Sequence, residues 1–253
     1  MTAITRAHRR IRTWCQAFTE ALYPPACLLC HERVEGGEAL WCDACRHGMP
    51  SQHPPVCGRC GVGLRGAFDA RLICSSCRRH PPAFETARAP FVYEGLVREA
   101  IHAFKYQGHH RVGRWLAEAM AATARHALPL AQLRAVVAVP MHPLKQRLKG
   151  ANPAVDLATT VAYGLGLPYT PGLLRRRRWT PTQTRLSAAQ RFRNVRDAFQ
   201  AHPPRGTDGT DGAVLLIDDV LTSGATAHAC ALALHEAGMP RVVVLTAARA
   251  PHA

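Results

Sequence analysis

Two adjacent carboxylates, Asp218 and Asp219, are followed within a few positions by Thr222, Ser223, Gly224, Ala225 and Thr226. Ionised carboxylates only accept hydrogen bonds, so the acid pair suits the vicinal hydroxyls of a sugar or a divalent cation. Three hydroxyls, a glycine that allows close backbone approach and the N–H groups of a helix starting there suit a phosphate monoester. Read together, these residues form a cradle for a phosphorylated sugar. The bland alternative, a buried strand that ends in acids and a turn, explains each letter separately but not their order. No GxxxxGK[ST] motif occurs, which excludes a Walker-type phosphate loop.

A second chemistry lies in the cysteines. Cys27 and Cys30, Cys42 and Cys45, Cys57 and Cys60, and Cys74 and Cys77 form four CxxC pairs, leaving Cys15 and Cys230 single. Two residues between cysteines let both sulfurs face one ion, and two such knuckles complete a tetrahedral four-thiolate site. The pattern predicts two structural zinc ions rather than disulfides. Sequential pairing and an interleaved cross-brace both satisfy the spacing. Either consumes every thiolate pair, so no coordination position remains open for catalysis. His31 reads as a solvated knuckle residue, and Cys15 and Cys230 as buried thiols.

Basic residues form two further groups. Met141, His142, Lys145, Arg147 and Lys149 follow a predicted strand, where a second anionic group such as pyrophosphate would be held. Arg175, Arg176, Arg177, Arg178 and Trp179, continued by Arg191, Phe192 and Arg193, combine guanidinium groups with aromatic rings. That mixture can neutralise phosphates and stack on bases, as single-stranded nucleic acid requires. A hood closing over a polyphosphate and a plain solvated face are the alternatives. Near a helix break, His102, Lys105 and Tyr106 could reach a ligand, although His102 and Tyr106 serve equally well as boundary side chains.

These residues need elements to hold them. The apolar run 214–217 reads as a parallel strand buried on both faces, delivering the acids to the ligand side of an open α/β sheet. A helix over 225–237, ended by Gly238, and a last strand over 242–246 follow it. Residues 135–140 read as the first strand of the sheet proper, followed by a basic loop and a helix from Pro153 capped by Asn152. Upstream, a helix from Gly95 breaks at Gln107 and Gly108 before a second one. The proline-bearing stretch 80–90 reads as a linker, 4–22 as an amphipathic docking helix, and 202–212 as a turn-rich connection. The expected organisation is an N-terminal helix over 1–25, a double zinc ribbon over 26–80 and an α/β domain over 91–253.

Composition agrees with this plan. The 253 residues are 47% hydrophobic and 19% charged, a globular balance without an apolar run long enough to span a membrane. Lys plus Arg number 32 against 17 acids, a formal charge of +15, which favours polyanionic partners. Eight zinc-bound thiolates would reduce it only to about +11. The N-terminus has early positive charge but no apolar core ahead of a cleavage site, so a cytoplasmic location is expected.

The acid pair and its loop resemble the 5-phosphoribosyl-1-diphosphate (PRPP) loop of type I phosphoribosyltransferases. With the stretches YEGLVREAIHAFKYQG, VPMHPLKQRLKGANPAVDLA and TPTQTRLSAAQRFRNVRDAF, and the CLLC and CDAC knuckles, nearly the whole chain resembles the ComF family of competence and DNA-utilisation proteins. The resemblance implies a type I phosphoribosyltransferase-like domain of largely parallel sheet with flanking helices behind a zinc ribbon. It also implies PRPP with Mg²⁺ at Asp218, Asp219 and residues 222–226, and action on single-stranded DNA in natural transformation or DNA utilisation, beside a helicase-like translocase or recombination protein. Ala151 stands where the family usually has an aromatic residue, and Thr222 where hypoxanthine-type enzymes carry an aspartate base. Three functions remain in view: phosphoribosyl transfer to an acceptor, a DNA-handling module that keeps the PRPP cradle, and a PRPP-sensing nucleic-acid binder.

Overall fold

The computed structural model describes residues 25–34, 40–66, 72–179, 188–195, 197–202 and 212–251. The expected N-terminal helix, Cys15 and most of the turn-rich connection lie outside them. The chain divides into two compact units, Met1–Met49 and Pro50–Ala253.

In the first unit, Cys27, Cys30, Cys42 and Cys45 come together. The knuckle turns because the His31 N–H donates to the Cys27 carbonyl (3.0 Å) with His31 at φ 62°. Cys42 then caps helix α1 (Asp43–His47), its Sγ accepting from the Cys45 N–H at 3.4 Å.

The second unit repeats the device. The Gly61 N–H donates to the Cys57 carbonyl (2.9 Å) with Gly61 at φ 68°. Cys74 Sγ caps α2 (Ser75–Arg79) by accepting from the Cys77 N–H at 3.4 Å. Glycine is required at position 61 twice over: the backbone is left-handed, and an added Cβ would stand 2.5 Å from the Ala87 carbonyl oxygen.

Behind this knuckle lies a five-stranded parallel sheet. Its strands are β1 (Thr86–Arg88), β2 (Phe91–Val92), β3 (Leu133–Ala138), β6 (Ala213–Leu221) and β7 (Val242–Arg249), in the order β1-β7-β6-β3, with β2 also beside β7. The stretch read as a linker therefore contributes an edge strand. Its three residues carry no apolar run, so pairing with β7 makes it a strand rather than its own pattern. Likewise β3 is the third strand in chain order and stands at the edge.

Helices α3 (Gly95–Tyr106) and α4 (His110–Ala127) form as the periodicity predicts, with the break at Gln107 and Gly108. Helix α6 (Pro153–Leu165) starts after Asn152, whose Oδ1 accepts from the Ala154 N–H at 3.2 Å and whose Nδ2 donates to the Val139 carbonyl at 3.0 Å. The basic loop before it is not a loop but a short helix, α5 (Pro143–Lys149). Proline at the first helical position and the His142 side chain, which accepts from the Leu144 N–H at 3.3 Å, start that turn.

Next, β4 (Leu174–Arg176) and β5 (Phe199–Ala201) form a separate antiparallel pair, joined through α7 (Ala188–Val195). Helix α8 (Ala225–Glu236) packs against this pair and α7. The strands are apolar on both faces, as parallel burial demands. Val214, Leu216, Val242 and Val244 join the core beneath α8, and the alternating Leu215, Ile217, Val243 and Leu245 face the side where α4 and α6 pack. No helix among the described residues is long and apolar enough to cross a membrane.

Candidate phosphate and metal sites

Strand β6 runs past its apolar core and carries the acids at its C-terminal end, with Asp218 opposite Thr246 of β7. Side chains alternate across a strand, so the two carboxylates leave on opposite faces. Asp219 turns toward α3, where its Oδ2 lies 2.7 Å from Lys105 Nζ. Asp218 turns toward α8 and β4, where it acts on Cys230 and Arg176. Its Oδ1 also accepts from the Asp219 N–H at 2.9 Å.

The charges shift one another accordingly. Burial and the neighbouring Asp219 push the Asp218 carboxyl up to about 7, against the pull of Lys105 and Arg176. Burial works to lower the Lys105 ammonium, yet Asp219 and Asp218 outweigh it and hold it above its usual value. Burial raises the Cys230 thiol, with Asp218 adding to the effect. Cys230 is thus the buried thiol the sequence predicts. A half-buried, partly neutralised acid pair beside an ammonium is poised for a divalent cation or sugar hydroxyls.

Immediately beyond Leu221 the loop turns at Gly224, left-handed at φ 79°, and α8 begins at Ala225. Ser223 Oγ accepts from the Ala225 N–H at 3.4 Å. Thr222, Ser223 and Thr226 are half-buried and Ala225 is buried. The acids, the loop and the helix start therefore stand in the spatial order that the sequence predicts.

The basic groups divide. His142 and Met141 are half-buried, and the His142 ring meets Trp179 edge-on at 5.2 Å, so the α5 segment adjoins the arginine block. Arg147 is exposed; Lys145 and Lys149 lie on α5, with side chains outside the described set. Within the arginine block, Arg175, Arg177, Arg178 and Trp179 are exposed, whereas Arg176 is half-buried with its guanidinium 5.3 Å from the Phe199 ring centre. Burial lowers the Arg176 guanidinium, against the attraction of Cys230 and Asp218. Strand alternation thus sends Arg176 inward toward the acids and its neighbours outward. Arg193 is exposed, and the Arg191 side chain lies outside the described set. His102 and Tyr106 are exposed, with rings 4.7 Å apart.

The eight cysteines resolve into sequential quartets, settling the pairing that spacing left open. Ligand sulfurs within each quartet lie within 4.8 Å of one another, with Cys30 and Cys42 3.5 Å and Cys60 and Cys74 3.8 Å apart. A tetrahedron with zinc–sulfur bonds near ~2.3 Å needs sulfurs about 3.8 Å apart, so both quartets fit zinc. When bound, zinc supplies cross-linking of the knuckles rather than chemistry. Spacing alone did not reveal Arg249, whose buried guanidinium reaches both the second quartet and the loop after β6. An arginine ending an apolar strand was its only signal in the sequence.

A family model described as a double zinc ribbon domain matches residues 18–81. Competence protein F of Haemophilus influenzae is 27% identical over 227 residues, covering 88% of this chain and 96% of that protein. DNA utilization protein YhgH of Salmonella typhi is 27% identical over 226 residues, 87% and 95% of the two chains. Bifunctional protein PyrR of Streptomyces coelicolor is 34% identical over 118 residues, 41% of this chain and 56% of that protein. A solved adenine phosphoribosyltransferase from Leishmania tarentolae aligns with a TM-score of 0.31 at 18% identity, covering 56% of this chain and 58% of its own. Parallel sheet, flanking helices and cysteine quartets define an α/β domain with a double zinc ribbon ahead of it in the chain. Along 88% and 87% of its length the chain is similar to a competence protein and a DNA-utilization protein, in agreement with the resemblance its motifs carry.

Proposed function

We propose that the chain binds PRPP with Mg²⁺ and handles single-stranded DNA in natural transformation or DNA utilisation. The observation that carries this reading is the convergence of Asp218, Asp219 and Lys105 at the end of β6, directly ahead of the loop that opens α8. Asp218 and Asp219 take the ribose hydroxyls and the cation, and residues 222–226 take the 5-phosphate. Met141, His142, Lys145, Arg147 and Lys149 are assigned to the pyrophosphate. Arg175, Arg177, Arg178, Trp179, Arg191 and Arg193 meet the DNA. Arg176, grouped with them by sequence, is assigned to the acid pair instead because it is half-buried and acts on Asp218. The setting is cytoplasmic, beside a helicase-like translocase or recombination protein.

The second reading is phosphoribosyl transfer to an acceptor. Charge placement around an oxocarbenium-like transition state, with pyrophosphate leaving toward the Lys145 region, would sustain it without a strong base. Calorimetric titration with PRPP and Mg²⁺ tests the shared premise. Binding should vanish in Asp218→Asn plus Asp219→Asn and shift in the presence of an oligo-dT strand. Absence of binding in the wild type would remove the PRPP assignment. Pyrophosphate release only in the presence of a particular acceptor would favour the transferase.

A further inference from the structure

We infer that Arg249 is a positioning residue through which the second zinc knuckle sets the binding shape of the loop after β6. Arg249 ends β7 and is 4% exposed. Its Nε–H donates to the Cys60 carbonyl at 2.9 Å, and Nη2 lies 3.7 Å from Cys60 Sγ. From the other side of the same planar group, Nη1 donates to the carbonyls of Leu221 (2.9 Å) and Thr222 (2.7 Å), and to that of Ala250. One rigid fork therefore has a metal ligand at one edge and the start of the hydroxyl–glycine loop at the other.

The orientation matters for binding. In a trans peptide the carbonyl and the following N–H point in opposite directions. Turning the Leu221 and Thr222 carbonyls onto Arg249 consequently turns the Thr222 and Ser223 N–H groups away from it, free to serve an anion. Without the guanidinium the half-buried Thr222 carbonyl loses its donor and the Thr222–Ser223 peptide plane its anchor, whereas the Leu221 carbonyl keeps the Ala250 N–H at 3.0 Å.

The knuckle is a firm anchor. Thr86 Oγ1 and Arg88 Nη1 donate to the Gly58 carbonyl at 2.7 and 3.2 Å, and the Ala87 N–H donates to the Arg59 carbonyl at 2.7 Å. Knuckle and loop share a cavity of about 830 Å³, with Cys60, Cys77, Thr222, Ser223, Gly224 and Arg249 on its wall. A zinc ion with four thiolates carries a formal charge of −2, which suits a buried guanidinium bonded to a ligand sulfur. Zinc loading of this quartet and order in the loop are thereby linked, and the link runs both ways.

The inference rests on reading residues 222–226 as phosphate-binding, and the test separates the two. In the zinc-loaded full chain, amide hydrogen exchange over residues 222–226, zinc content and Mg²⁺–PRPP affinity are measured for wild type, Arg249→Gln and Arg249→Lys. In Arg249→Gln the Ala225 amide, bonded to Ser223 Oγ at 3.4 Å, should exchange about tenfold faster and PRPP affinity should fall about tenfold, with Arg249→Lys partly restored. Zinc-stripped wild type should show the same faster exchange, and loss of the second zinc in Arg249→Gln would report the same link from its other end. Unchanged loop exchange in Arg249→Gln with both zinc ions retained overturns the inference. If Arg249→Gln does not fold, unchanged exchange in Arg249→Lys and in the stripped wild type overturns it. Faster exchange in a protein whose wild type does not bind PRPP upholds the link and removes the phosphate reading instead.

Discussion

The ammonium of Lys105 stands 2.7 Å from the Asp219 carboxylate, joining the last turn of α3 to the acid pair at the end of β6. Lys105 also draws the Asp218 carboxyl downward, against the burial and the Asp219 charge that raise it. Replacing Lys105 by Met should therefore move the Asp218 titration above its value of about 7. Carboxyl carbon shifts followed by NMR through a pH titration would register it, and an unmoved midpoint would show that the pair is not coupled in solution.

Stability should carry the mark of Asp218. Its folded value, about 7, lies above the ordinary 3.8, so the folded state holds this proton more tightly than the unfolded chain. The group's stabilising contribution is complete below the ordinary value and is lost as pH rises through about 7. Thermal denaturation between pH 5 and 8 should accordingly show a steeper decline in Tm for wild type than for Asp218→Asn. Mg²⁺, bound by the ionised acid, should raise Tm more at pH 8 than at pH 6.

The arginine block should separate by strand face. Arg175, Arg177 and Arg178 are exposed and Arg176 is half-buried against Phe199. Neutral glutamine at the three exposed positions should weaken oligo-dT binding and flatten its log–log salt dependence by about 2, given ~0.7 per phosphate contact. Arg176→Gln should leave that slope unchanged while altering the Asp218 titration. Fluorescence anisotropy at several salt concentrations distinguishes them, and equal slopes for the triple variant and wild type would place the DNA surface elsewhere.

Zinc should leave in two stages. Cys30 is exposed and Cys42 half-buried, whereas Cys57, Cys60, Cys74 and Cys77 are all buried. A chromophoric chelator should remove one ion quickly from the first quartet and the second only slowly. Near-UV circular dichroism should change mainly in the slow stage, because the second quartet packs on the sheet through Gly58 and Cys60. A single-exponential release of both ions would contradict this difference.

Much of the plan was legible beforehand. The β6 run, the helix after it, the break between α3 and α4 and the Asn152 cap all follow from local patterns and stand where expected. Two short elements were not legible. Strand β1 has only three residues and no apolar alternation, and α5 is seven basic-rich residues whose start depends on Pro143 and the His142 cap.

From the sequence alone came the chemistry to expect: cysteine spacing specifies tetrahedral thiolate sites, and the order of strand, acids, loop and helix is the basis on which a phosphate cradle is proposed, because both depend on residues near one another in the chain. Tertiary structure decided which distant groups meet. It paired the cysteines in sequence, set Lys105 on Asp219, turned Arg176 inward and placed Arg249 between Cys60 and Thr222. Those choices depend on strand order and on which face each side chain leaves, and neither is encoded in local spacing.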